Sequence, residues 1–269
     1  MRTRITEQEV ADYRRDGFLL MPEFLAQEEL EEWRTVTERA VRTRLERGDE
    51  LSNEATDDYY KKVFKQVSGL IRVDERMAQL LLDSQLGDIA AQLTGVERMR
   101  LWNDQALFKP PWGNPTAWHL DAPYWSFDDR RALTIWIALD DATLENGCLW
   151  YLPGTHQSAR FDAFELGSNL GGIFDIYPEW REVESVPAVL PAGGAVWHNG
   201  LIAHGAGANM TVHGRRAMTC AYMPDGVIYN GKRDDFVFTE EQAAAMKVGD
   251  PLADDRLNPL VGSAAPVAS

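Results

Sequence analysis

The sequence predicts a mainly β fold with flanking helices, an antiparallel sandwich or barrel behind a helical N-terminal part. Up to about residue 95 the apolar residues recur at helical spacing. From Arg98 to about residue 225 the chain breaks into short β-branched or aromatic runs that often alternate with period two. Turn signals separate those runs, without helices between them, which argues for antiparallel pairing and against βαβ units.

Thr6-Glu7-Gln8-Glu9 reads as a capping box that opens a short helix ending near Gly17. Phe18 to Met21 reads as a strand stopped by Pro22, and a charged helix is expected over about Gln27–Arg47. The polar stretch Gly48–Asp58 reads as a loop, followed by helical patterns at about 59–67, 74–82 and 84–93. Strands are expected at 98–109, 117–121, 131–139, 148–152, 195–198 and 215–223. They are punctuated by Pro110-Pro111-Trp112-Gly113-Asn114-Pro115, Glu145-Asn146-Gly147, Pro153-Gly154 and Pro191-Ala192-Gly193-Gly194. Phe161 to Glu184, with Gly171-Gly172 and several aromatics, reads as a long insertion or lid, and a helix is expected near Thr239–Met246. Residues 1–262 are expected to form a single domain: a helical part over 1–95, a β core over about 98–225, and a C-terminal helix and extension over 226–262. Residues 263–269 read as a flexible tail.

Composition bounds the function. Forty-five per cent hydrophobic and 26% charged residues suit a globular chain with a sizeable core. No run approaches a membrane span, and the start Met-Arg-Thr-Arg-Ile-Thr-Glu lacks a leader's apolar region, so the cytoplasm is the default location. Lys and Arg total 27 against 42 Asp and Glu, a formal charge of −15, which makes nucleic acid and anionic membranes poor partners. A small anion remains open, because one buried arginine outweighs a distant diffuse field. Cys148 and Cys220 are too few for a disulfide framework and are read as reduced.

The chemistry starts from Trp118-His119-Leu120-Asp121. Residues two apart on a strand share a face, so His119 and Asp121 can ligate one metal, although a His-x-Asp alone is more often a satisfied polar pair. A third ligand candidate is His204, in His204-Gly205-Ala206-Gly207-Ala208-Asn209. Two histidines and a carboxylate form the facial triad of non-haem iron oxygenases, with three positions open. Zinc would favour a closed tetrahedron or one open position. Arg215 opens a strand on the face of Ala217 and Thr219, and an arginine entering a barrel needs an anion, its planar fork suiting a carboxylate. Arg216 points to the other face and reads as a solvated charge.

In these motifs the sequence resembles the phytanoyl-CoA dioxygenase family of iron- and 2-oxoglutarate-dependent oxygenases. The resemblance runs through Trp118-His119-Leu120-Asp121, Trp136 with Leu139-Asp140-Asp141, and Glu145-Asn146-Gly147-Cys148-Leu149 into Leu152-Pro153-Gly154-Thr155-His156. It continues through His204 to Asn209 and Arg215-Arg216-Ala217, and covers about residues 5–262. It implies a double-stranded β-helix, a cupin-like jelly roll with helices outside. It further implies Fe(II) on His119, Asp121 and His204, and the far carboxylate of 2-oxoglutarate on Arg215. Lys109 and Trp136 match further co-substrate positions, and Thr134 shares the face of Trp136.

The activity so implied consumes O2 and 2-oxoglutarate, releases succinate and CO2, and hydroxylates a C–H bond. Desaturation, cyclisation and epimerisation are the variants. Halogenation is disfavoured, since Asp121 fills the position that halogenating relatives leave small. The substrate is expected to be a small or medium organic metabolite. Asn103 and Gln105 share the parity of Lys109, and Trp112, Tyr124, Trp125, Phe174, Tyr177 and Trp180 cluster near expected mouth loops. Core packing is the equal alternative for each. The remaining histidines read as a turn residue (His156), a residue orienting a ligand or water (His198) and an exposed loop residue (His213). Asp128-Asp129-Arg130-Arg131 reads as a solvated charge run. Two rival classes stay open: a zinc hydrolase on the same fold, and a non-catalytic ligand-binding relative. The oligomeric state is not legible.

Overall fold

The structure, a computed structural model, describes residues 1–48, 59–163 and 167–262. The loop expected up to Asp58, the centre of the insertion at 164–166 and the tail from 263 lie outside the described residues, apart from Gly48. Thr6 and Glu9 exchange the reciprocal bonds of a capping box at the start of α1 (Glu7–Asp16), and Gly17 closes that helix at φ 87°. β1 (Phe18–Met21) and α2 (Gln27–Arg47) follow as expected. α3 (Glu75–Leu81) and α4 (Ser84–Thr94) are capped by Asp74 and Asp83, whose side chains accept backbone N–H bonds.

One expectation fails here. Residues 59–67 are not a helix: Tyr60–Lys62 make a single 3-10 turn and Lys65–Ser68 form strand β2. β2 pairs with the edge of β3 (Met99–Lys109), Lys65 opposite Phe108, so a non-local partner overrides the local helical pattern. The remaining strands are β4 (Thr116–His119), β5 (Leu133–Ala138), β6 (Leu149–Tyr151), β7 (Val186–Ala188), β8 (Ala195–Asn199), β9 (His204–Ala206) and β10 (Arg215–Pro224). β7 and β9, three residues each, were not expected. Pro187 and Gly205 sit inside them, and both residues argue against strands locally.

Two antiparallel sheets result, in the orders β1-β8-β5-β10-β3-β2 and β4-β9-β6-β7. The outer face of the larger sheet carries Ile135, Ile137, Trp197, Met218, Cys220 and Tyr222. It packs on Leu30, Trp33, Val36 and Ala40 of α2 and Leu86, Ile89 and Leu93 of α4. These helical positions recur every three or four residues, the stripe a sheet-facing helix needs. The inner face carries Trp136, Ala138, Val196 and Ala217, which meet Leu149, Tyr151 and Ala206 of the smaller sheet. Both faces of β10 are therefore covered, and every residue in it but Arg216 is buried.

Registers arrange the inner face in rows. Phe18, His198, Thr134, Ala221 and Asn103 align across five strands, and Leu20, Val196, Trp136, Thr219 and Gln105 form the next row. Two residues further along lie Ala138, Ala217 and Leu107, and beyond them Arg215 opposite Lys109. The insertion holds α5 (Ile173–Ile176) and a 3-10 stretch at Pro178–Glu182, and Trp118 N–H bonds to Leu170 O where it crosses β4. α6 (Glu240–Ala245) forms where a helix was expected, and Thr239 caps it. Both cysteines are free and buried, and no helix among the described residues is long and apolar enough to cross a membrane.

Candidate metal and co-substrate site

His119 closes β4 and faces His204 directly across the pairing with β9, the two ring centroids 4.2 Å apart. β4 ends there. Asp121 lies past the strand at φ −82° and ψ −48°, opening the 122–124 turn, so the expected strand through 121 is corrected. The shared face survives because Asp121 N–H and Ala122 N–H both bond Gly200 O, which pins the chain after the bulge. One ligand atom from each of His119, Asp121 and His204 lies within 4.8 Å of the others. Asp121 Oδ1 is 3.5 Å from His119 Nε2 and 3.6 Å from His204 Nε2.

The protonation of the set suits a divalent cation. His119 Nδ1 lies 2.8 Å from Ala117 O and His204 Nδ1 3.1 Å from Ile202 O. Only an N–H at Nδ1 satisfies those carbonyls, which leaves both Nε2 lone pairs turned toward Asp121. Burial and repulsion from His119 push His204 down to about 3, so its imidazole is neutral. Burial alone would raise the Asp121 carboxyl, but the histidines packed around it, His204, His119 and His198, outweigh it and hold it well below the usual carboxylate range. A carboxylate and two imidazoles whose Nε2 atoms face it form a ready donor set for iron(II).

At the other end of the inner face, Arg215 is buried and its Nη1 donates to Gly147 O at 3.0 Å. Its guanidinium carbon sits 5.0 Å from the Trp136 ring centroid. The side chain reaches that row because Ala217 and Ala138, the row between, are small. Arg215 Nε and Trp136 Nε1 are buried donors without a partner. Burial pushes Arg215 down to about 10. Lys109, its buried neighbour on β3, is pushed down to about 7 by burial and by repulsion from Arg215. Its ammonium donates to Asn114 O at 2.6 Å and Val63 O at 3.2 Å. Arg216 faces the other way, as parity requires. It is not a free solvated charge, for it bonds Asp140 at 2.6–2.9 Å and Glu38.

The other sequence candidates divide. Thr134 Oγ1 donates to Asp121 Oδ2 at 3.3 Å. Asn103 and Gln105 face inward from β3, opposite Ala221 and Thr219, and neither side chain has a hydrogen bond among the described residues. Tyr124 follows the metal carboxylate in its turn, and Phe174 lies 6.4 Å from Trp118 on the insertion. Trp125 is spent on packing, against Phe127 and under Gly200. Tyr177 and Trp180 stack on each other at 3.8 Å inside the insertion. Trp112, 62% exposed, lies past Lys109 at the far end of β3, and the structure does not bring it to the metal. His156 bonds Arg14 O from its turn and His213 is exposed, both as expected. Arg130 is tied to three carbonyls of residues 156–159 and is not merely solvated. Sequence reasoning missed Tyr151 and the Gly147 carbonyl, whose places depend on pairing between distant strands.

Residues 13–217 match the family described as phytanoyl-CoA dioxygenase (PhyH). Among curated proteins the chain is similar to the methylphosphonate hydroxylase of Gimesia maris, 29% identical over 82% of each chain. It is also similar to the phytanoyl-CoA dioxygenase of Arabidopsis thaliana, 30% identical over 60% of this chain and 59% of that one. Among solved structures it is similar to the non-haem α-ketoglutarate-dependent carbocyclase SnoK from nogalamycin biosynthesis, with a TM-score of 0.80 and 27% identity over 96% of this chain and 97% of that one. The epimerase SnoN, in complex with Fe3+, α-ketoglutarate and nogalamycin RO, matches with a TM-score of 0.77 and 27% identity over 95% and 98%.

Proposed function

This chain is a member of the phytanoyl-CoA dioxygenase (PhyH) family of iron- and 2-oxoglutarate-dependent oxygenases, and from that premise we propose that it hydroxylates an unactivated C–H bond of a small or medium organic metabolite. The observation that carries the co-substrate assignment is Arg215, a buried guanidinium on the inner face with an unpartnered Nε above a Trp136 whose own Nε1 is unpartnered. A buried cation and two orphan donors call for an anion with several acceptor oxygens, which a carboxylate supplies. Iron(II) at the triad, with 2-oxoglutarate and O2, supplies the oxidising power, one oxygen atom ending in succinate and one in the substrate.

The protein's share is positioning. His119, Asp121 and His204 would hold the metal, and Arg215 and Trp136 would hold the far carboxylate of the co-substrate. Lys109 adds positive potential next to Arg215, and Thr134 steadies Asp121. The amides of Asn103 and Gln105, with Tyr124 and Phe174 nearer the mouth, meet the substrate. Membership and the complete triad set aside the zinc hydrolase and the non-catalytic relative.

The whole-length likeness to a carbocyclase and an epimerase favours a second reading, in which the same C–H chemistry ends in ring closure, desaturation or epimerisation. Turnover under 18O2 separates the two. Hydroxylation adds one labelled oxygen to the product, ring closure and desaturation remove two hydrogens without label, and epimerisation leaves the mass unchanged. Anaerobic titration of the iron(II) protein with 2-oxoglutarate, followed by its charge-transfer absorbance, tests the site without a substrate. A protein that binds iron at the triad yet shows no such band with 2-oxoglutarate would end the co-substrate assignment.

A further inference from the structure

Asp121 is the one ligand of the triad that no strand holds, since β4 ends at His119. Its two oxygens have different surroundings. Oδ1 faces the ring nitrogens of His119 and His204, while Oδ2 meets Thr134 Oγ1 and His198 Nε2, each at 3.3 Å. Thr134 and His198 are registered partners on β5 and β8, so two adjacent strands aim a group each at the same oxygen. Behind His198, its Nδ1 lies 3.0 Å from the hydroxyl of Tyr151, and all three of these rings and hydroxyls are buried.

Proton counting fixes the direction of this chain. If Tyr151 donates its O–H to His198 Nδ1, then His198 Nε2–H donates to Asp121 Oδ2 and every proton has an acceptor. The reverse tautomer sets the Nε2 lone pair against a carboxylate lone pair and strands the phenol proton in the core. Tyr151 also touches the other arm of the triad. It is the registered partner of His204 on β6 and β9, its ring stacked at 5.8 Å on that imidazole and at 4.6 Å on Phe18. A single side chain from the smaller sheet thus braces His204 by contact and Asp121 through His198.

We infer that Tyr151 and His198 are positioning residues that hold Asp121 as a one-oxygen ligand through Oδ1, keeping Oδ2 off the metal. The consequence is coordination space. A carboxylate with both oxygens loose can chelate, and chelation occupies a position that the co-substrate or O2 needs. The inference rests on iron at the triad.

Iron(II) affinity, measured by anaerobic titration of the metal-free protein, separates this role from packing. Loss of an outer hydrogen-bond partner weakens metal binding by about tenfold to a hundredfold, which is the effect expected for H198L. A glutamine carries an N–H donor at a similar reach that needs no tyrosine to set its tautomer, so H198Q is expected to stay within about threefold of the parent. Y151F removes one oxygen atom. It is expected to weaken iron about tenfold when His198 is present and to change nothing in the H198Q background. The nitric oxide adduct of the iron protein reports coordination by its electron paramagnetic resonance signal, which should broaden in Y151F and sharpen again in the double variant. An equal effect of Y151F in both backgrounds, or parental iron affinity in Y151F, overturns the inference. If H198L does not fold, the comparison of Y151F with Y151F/H198Q still decides. A parent protein that binds no iron(II) would instead defeat the metal assignment itself.

Discussion

Arg215 and Lys109 are registered partners on β10 and β3, two buried cations side by side, and neither forms an ion pair among the described residues. Burying like charges together without an anion is costly, so the pair marks a place where the folded chain awaits one.

The neighbouring arginines test that place. Arg215→Ala should raise the 2-oxoglutarate dissociation constant roughly thirtyfold to several thousandfold, the equivalent of about 2–5 kcal/mol for a buried charge-assisted contact. Arg216→Ala removes the same charge but sits on the helix side, bonded to Asp140 and Glu38. Its cost should appear as about 1–2 kcal/mol of stability, because the ion pair is only partly buried, with co-substrate affinity close to the parent's. Titrations of the anaerobic iron protein and thermal melts read the two effects separately. Greater loss of affinity in Arg216→Ala would reverse the inward and outward assignment of the strand.

Lys109 is expected to make co-substrate binding depend on pH. Its ammonium is brought from 10.5 to about 7, so the second positive charge is present below pH 7 and lost above it. A bound dianion pulls that pKa back up, so binding above pH 7 takes up a proton. The dissociation constant of 2-oxoglutarate should then rise with pH above about 7, by up to about tenfold per pH unit, and the rise should vanish in Lys109→Met. Stability without ligand runs in a defined direction too. The unfolded lysine holds its proton up to 10.5 while the folded one gives it up near 7, so this residue's penalty is full below pH 7 and fades as pH climbs toward 10.5. A pH-independent affinity in the parent protein would remove Lys109 from the site.

The contrast between Arg215 and Arg216 was legible in the sequence because parity inside one strand is a local property, and β10 is long and regular on that stretch. The convergence of His119 and Asp121 was legible for a partly different reason than the one that operates. A bulge and two bonds to Gly200 O keep them on one face after the strand has ended. Pairings between distant segments were not legible. Tyr151 opposite His204, β2 on the edge of β3, and the carbonyls that Lys109 reaches at Val63 and Asn114 are set by which distant segments pair or pack together. Nor does a local pattern tell a packing tryptophan such as Trp125 from one that meets a ligand.

Gly147 links the turn before β6 to Arg215 and Lys109. Its φ of +86° is strained for any other residue, and an added Cβ would lie 2.5 Å from Gly207 O and 2.8 Å from Lys109 Cδ. Gly226, at φ +95°, has nothing within 4 Å of the same added atom. Gly226→Ala should therefore cost only the backbone penalty, about 1–2 kcal/mol. Gly147→Ala should cost about 2–5 kcal/mol, since the turn must also shift away from Gly207 and Lys109. That shift moves the Gly147 carbonyl, which accepts from Arg215 Nη1 at 3.0 Å, so the guanidinium loses one of the fixed points that aim it along the inner face. Co-substrate affinity should fall in Gly147→Ala by about tenfold, one hydrogen bond's worth to a charged group, and stay unchanged in Gly226→Ala. Chemical denaturation gives the stability difference and the charge-transfer titration gives the affinity. Equal destabilisation of the two variants, with affinity intact in both, would mean that the turn has room to spare and does not position Arg215.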